Sequence, residues 1–254
     1  KNGLESRRIS GLSSAAGAVA INSDDTIIAA ADDSGAKVWN LITGKLLHTL
    51  SGHDGPVTAL TFGNDANTLL TGGEDDEIAQ WDLATGDEVR RFTDHDGDIR
   101  DIAVRDDVMV SGDETGAIIV WDLDDGSAGE PFGPVADDEA LSAVALSPDG
   151  NFIASGTEDG DIKIWDADGG EIGRLGSIDG PVGQLSFNAD GSKLASVGSD
   201  DNVTLWNVED EDEIGKYQGH TGGLLGVGFE TRHGRILSAG KDGIVRVWDA
   251  ETGV

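Results

Sequence analysis

An all-β fold of six like antiparallel sheets, closed into a ring, is the architecture this sequence predicts, and three observations carry it. Six tryptophans, Trp39, Trp81, Trp121, Trp165, Trp206 and Trp248, recur at spacings of 42, 40, 44, 41 and 42 residues, and the chain has no others. Each is followed by Asp or Asn. The surrounding text repeats as well, as in TGGEDDEIAQWD, ASGTEDGDIKIWD and SAGKDGIVRVWD. Each of these is a strand, a tight acidic or glycine turn, and a second alternating strand.

Within each repeat the elements follow in order. An alternating run such as VTALTF, LSAVAL or VGQLSF supplies a first, half-buried strand. A turn of the type Ser147-Pro148-Asp149-Gly150 or Asn188-Ala189-Asp190-Gly191 has the chemistry of a hairpin. The strand pair ending at the tryptophan comes next, then a more polar fourth strand, as from Lys45 to Leu50 or Glu88 to Phe92. Four short strands in about 42 residues make one blade of a β-propeller. A lone blade cannot bury both faces, so neighbours must stack and the ring should close. The chain stops at Val254, where the outer strand of the last repeat would begin, and Leu4–Ser10 aligns with Lys45–Ser51. The N-terminal segment is therefore expected to complete the sixth blade and latch the ring. Residues 1–254 are read as one domain of a longer chain, because it begins at Lys1. A seventh blade, lost with absent sequence, is the alternative.

The whole chain resembles the WD40-repeat family, whose Gly-His pair before the first strand is present as Gly52-His53 and Gly219-His220. The resemblance implies a closed six-bladed WD40 propeller. It also implies buried hydrogen-bond networks running from the Trp indole through a hydroxyl and an imidazole to an Asp. Two repeats carry the full set: His53, Thr71, Asp75, Trp81, and His220, Ser238, Asp242, Trp248. The third keeps His95, Ser111 and Trp121, with Thr115 in place of the acid. The fourth and fifth keep Ser155, Asp159, Trp165 and Ser196, Asp200, Trp206, without a histidine; the first has Ala29, Asp33 and Trp39. A Ser-His-Asp trio invites a nucleophilic reading, but that chemistry needs an exposed hydroxyl and an oxyanion hole. Recurrence with tryptophan, in partly decayed copies, fits a stabilising device instead.

Charge narrows the function. Against 49 acidic residues stand 17 Lys plus Arg, a net charge of −32. Phosphate-mediated binding to nucleic acid and docking on anionic lipid both need a basic surface, so both are excluded. The acid suits a saline cytoplasm, the expected location, or alternatively a basic partner. There is no cysteine, and the five histidines lack zinc spacing. The paired aspartates do not form a calcium loop, so neither a metal nor a cofactor is expected. Ser199–Trp206 is superficially like the Asp-box of six-bladed sialidases, but Val203 stands where that motif has glycine. The ten arginines show no repeated position that would hold a substrate carboxylate.

The resemblance places binding on a propeller end face. One residue per repeat, just before the turn acid or its equivalent, is expected there: Asp32, Glu74, Glu114, Glu158, Ser199 and Lys241. Four of these six are acidic, which would steer a Lys/Arg-rich segment; ordinary solvated turns are the plainer reading. In the irregular stretch 124–139, Pro131 and Phe132 are either an aromatic anchor or a poorly patterned outer strand. The expected function is a non-enzymatic scaffold or sensor module for protein partners. The alternative is a propeller enzyme or small-ligand binder with its site at the central channel. Such propellers also occur in prokaryotic signalling proteins, an analogy of family alone.

Overall fold

The computed structural model describes residues 8–134, 139–230 and 234–251. They contain no helix and fall into antiparallel sheets of three or four strands. Two compact units divide the chain, Lys1–Asp107 and Val108–Val254.

In the first unit, β1 (Ala18–Ile21), β2 (Ile27–Asp32), β3 (Gly35–Asn40) and β4 (Leu46–Leu50) pair in chain order. So do β5 (Val57–Phe62), β6 (Thr68–Gly73), β7 (Ile78–Asp82) and β8 (Asp87–Phe92). Strand β9 (Ile99–Arg105) ends the unit. The first strands β1, β5 and β9 lie side by side, so each sheet stacks on the next. Between them sits a core that includes Val38, Leu50, Val57, Leu69 and Trp81. Burying a Leu or Val fully stabilises by about 1.5–3 kcal/mol.

The second unit opens with β10 (Val108–Asp113) and β11 (Ile118–Asp122). Two four-stranded sheets follow: β12 (Leu141–Leu146), β13 (Phe152–Thr157), β14 (Asp161–Asp166), β15 (Glu171–Ser177), then β16 (Val182–Phe187), β17 (Lys193–Gly198), β18 (Asn202–Asn207), β19 (Asp212–Gln218). The last sheet is β20 (Leu224–Glu230), β21 (Arg235–Gly240) and β22 (Val245–Asp249). Again the first strands β12, β16 and β20 are neighbours. The stretch after β11 takes the place of an outer strand: Phe132 exchanges both backbone hydrogen bonds with Ile118, and Trp121 bridges Ala128.

Ladder register shows one departure from the repeat. Trp81, Trp121, Trp165, Trp206 and Trp248 each face the residue twelve positions earlier, from Leu69 to Ile236. Trp39 faces Ile28, eleven positions earlier. The β2–β3 hairpin is therefore one residue shorter, closing on the pair Asp32 and Gly35. At Gly35 (φ 125°) a Cβ would sit 2.3 Å from the Leu50 carbonyl oxygen, so only glycine fits there.

The expected closure of the ring is not seen. The proposed latch, Leu4–Ser10, falls mostly outside the described residues, and residues 8–10 form no strand. Val245 and Val247 are 66% and 52% exposed, whereas the equivalent Val203 and Leu205 one sheet earlier are 0%. In the first unit Val19 is 63% exposed, where the equivalent Leu60 is 8%.

Candidate binding surface

Three side-chain contacts tie together the hairpin of each complete sheet. Trp81 Nε1 donates to Thr71 Oγ1 at 2.8 Å, and His53 Nε2 lies 2.9 Å from the same hydroxyl. His53 Nδ1 is 2.9 Å from Asp75 Oδ1. The last sheet repeats this with Trp248, Ser238, His220 and Asp242 at 2.8, 2.8 and 3.0 Å. An ionised Asp only accepts, so Nδ1 carries the proton and Nε2 accepts the hydroxyl hydrogen. The chain of donors then runs without a break from indole to hydroxyl to imidazole to carboxylate. Asp75 also accepts the Asp54 amide, and Asp242 the Ile244 amide. Burial alone would raise both carboxyls; these hydrogen bonds, from the histidine above all, outweigh it and hold them below the usual range.

Thr71 and Ser238 are buried, so neither hydroxyl can meet a substrate. In the third, fourth and fifth repeats the indole still bonds its hydroxyl at 2.8 Å: Trp121 to Ser111, Trp165 to Ser155, Trp206 to Ser196. The first repeat lacks the bond because its hydroxyl position is alanine. The ladder places Ala30 there, opposite Lys37, and not Ala29.

The strand-end position explains how the networks vary. In the complete sheets it is Gly73 or Gly240, where a Cβ would lie 2.6–2.8 Å from the Asp oxygen and 2.5–2.8 Å from His Nδ1. In the third and fourth repeats a polar side chain occupies it and caps the turn itself, whereas the fifth has Gly198 there without a histidine. Asp113 accepts the Thr115 hydroxyl and the amides of Thr115 and Ala117. Thr157 accepts the Asp161 amide. The third repeat thus has its acid two residues before the expected position, a residue that counting along the motif passes over. His95 is buried.

Asp32 requires a correction. Expected as a solvent-facing turn residue, it is 1% exposed, because the shorter hairpin moves it to the strand-end position and leaves Asp33 outside. Its carboxylate accepts from the Ser13 amide, the Ser13 and Ser34 hydroxyls and Lys37. Burial pushes this carboxyl upward, but the Ser34 and Ser13 hydrogen bonds win and hold it far below the ordinary value. The other five positions are exposed: Glu74 on the first unit, and Glu114, Glu158, Ser199 and Lys241 on the second. Phe132 is not a free anchor. Its ring is 5.5 Å from that of Trp165 and covers Gly169, as an outer-strand residue would. Among the described residues no group of three or more His, Asp or Glu could hold a metal ion, and no helix is long and apolar enough to cross a membrane.

Stacked antiparallel sheets, all but the first pinned by an indole–hydroxyl bond, define a repeat protein of β-propeller type. The family model "WD domain, G-beta repeat" matches residues 44–82, 134–166, 172–207 and 211–249, more than half of the sequence; the chain belongs to the WD40-repeat family. Similar relatives include eukaryotic translation initiation factor 3 subunit I of Xenopus laevis, 39% identical over 74 residues, covering 28% of this chain and 22% of the relative. The same subunit of Brugia malayi is 36% identical over 77 residues (30% and 23%), and that of Homo sapiens 32% over 74 (28% and 22%). The matched stretch spans less than a quarter of these relatives. They are eukaryotic, and none is a prokaryotic signalling protein.

Proposed function

We propose that this chain is a non-enzymatic protein–protein interaction scaffold that gathers basic partner segments on the hairpin-turn ends of its sheets. One observation carries the reading. The recurring Ser/Thr-His-Asp groups are sealed inside the sheets, while the neighbouring turn side chains Glu74, Glu114 and Glu158 stand in solvent. With a net charge of −32, a Lys/Arg-rich segment is attracted from a distance and a nucleic acid repelled. The relatives, subunits of a multiprotein factor by name, support an assembly role of the same kind, for one matched stretch of this chain.

The finer architecture belongs to the same proposal: one domain whose six blades close in a ring. Closure has to cover the exposed side chains of Val19, Val245 and Val247. Small-angle scattering tests it, since a closed globule of this length has a radius of gyration of about 18 Å. A cytoplasmic, saline setting accounts for the acid excess. For the binding role, Glu114→Lys with Glu158→Lys, and Glu74→Lys separately, should weaken capture of a Lys/Arg-rich peptide and flatten its salt dependence. Unchanged capture and salt slope in both variants discard the reading.

A further inference from the structure

A second surface lies at the opposite ends of the strands, in the second unit. There the sheets β12–β15 and β16–β19 part to leave a groove of about 500 Å³. Its apolar lining is made by Phe152, Ile164, Ile172 and Val208. Ile172 is 46% exposed, a large aliphatic left in water at the groove wall. Every ionisable residue of the lining is acidic: Asp190, Glu209 and Glu211.

The lip is shaped by its backbone. Glu211 holds φ 56°, a conformation L-residues rarely adopt, in the turn between β18 and β19. Its carboxylate lies across the groove over Gly173 of β15, where a Cβ would come within 2.9–3.0 Å of the carboxyl carbon and Oε1. A side chain at 173 would close this approach. An apolar lining with carboxylates on its rim suits one apolar side chain flanked by cations, whose aliphatic stems lie on the walls.

We infer that this groove docks an extended basic peptide segment, seating one Leu-sized side chain on Ile172 and Val208 and its flanking Arg or Lys on Glu209 and Glu211. This surface is separate from the hairpin-turn ends that carry Glu114 and Glu158. The probe is a fluorescein-labelled Gly/Ser nonapeptide with a central Arg-Leu-Arg, read by anisotropy in 150 mM KCl against the intact chain. Expected are about tenfold weaker binding to the Glu209→Gln/Glu211→Gln and Ile172→Ser variants, a similar loss for an Arg-Ser-Arg peptide, and no binding of Glu-Leu-Glu. Glu114→Lys/Glu158→Lys should reduce affinity less than the groove variants do. In parallel, the peptide should shift the methyl resonances of Ile172 and Val208 in the unaltered protein, a readout independent of how any variant folds. Equal binding of Arg-Leu-Arg and Arg-Ser-Arg, or unshifted Ile172 and Val208 methyls, overturns the groove. Loss only in Glu114→Lys/Glu158→Lys overturns it too, while leaving the turn-end reading standing.

Discussion

Replacing Ser238, Ser155 and Ser196 by alanine measures what the imidazole adds to the indole–hydroxyl bond. All three serines are buried, all belong to the second unit, and each accepts its Trp Nε1 at 2.8 Å. Of the three, Ser238 also lies 2.8 Å from His220 Nε2. A buried polar group stripped of its partner costs about 1–3 kcal/mol. Ser155→Ala and Ser196→Ala strand one group, the indole N–H, and should cost about 1–3 kcal/mol each. Ser238→Ala strands two, the Trp248 indole and His220 Nε2, and should cost about 2–6 kcal/mol. The assay is urea unfolding, with hydrogen exchange of the six indole N–H groups as the site-specific readout. In a double-mutant cycle, His220→Ala with Ser238→Ala should show coupling of at least about 1 kcal/mol. Equal losses in the three serine variants, with coupling near zero, would refute the view that the histidine network strengthens its sheet.

Four further outcomes follow from the geometry and the charge. The carboxyls of Asp32, Asp75 and Asp242 titrate below their ordinary value of 3.8 in the folded state, so the stability they supply is present above that value and lost as pH falls through the lower folded values. The urea midpoint should therefore drop most steeply below about pH 4, and Asp75→Asn should flatten that drop; an unaltered slope in the variant counts against it. Gly73→Ala forces a Cβ to 2.6 Å from Asp75 Oδ1 and should cost about 1–3 kcal/mol. Gly228→Ala, in β20 with nothing within 4 Å, should be neutral or gain up to about 1 kcal/mol. Finally, the melting temperature should climb steeply between low and molar KCl as the charge of −32 is screened; a flat calorimetric response denies self-repulsion a role.

Tryptophan period, hairpin turns and indole–hydroxyl spacing were legible in the sequence because each recurs, and recurrence separates a pattern from chance. The misreadings fall where one repeat departs from the rest. Counting back from Trp39 assumes a hairpin of standard length, and its missing residue moved Asp32 from the surface to the interior. Thr115 looked like a lost acid because the replacement, Asp113, enters from the strand end and satisfies the same turn from another direction. Phe132 could be strand or anchor by pattern alone; its contact with Trp165 depends on the neighbouring sheet, which no local window contains. Ring closure is a long-range property of this kind too.

The strand-end glycine has a consequence for how such repeats drift apart. To convert the β13–β14 turn from its Thr157 cap to the histidine form, position 157 must lose its side chain, position 159 must keep its acid, and an imidazole must arrive from before the first strand. Thr157→Gly alone leaves an amide uncapped, and a histidine introduced alone meets an occupied site. The fifth repeat stands at one such intermediate: it has Gly198 and Asp200 but no histidine, and Asp200 Oδ1 is buried without a hydrogen-bond partner. A stack of related sheets can therefore keep different ways of tying the same corner side by side, some of them incomplete, without converging.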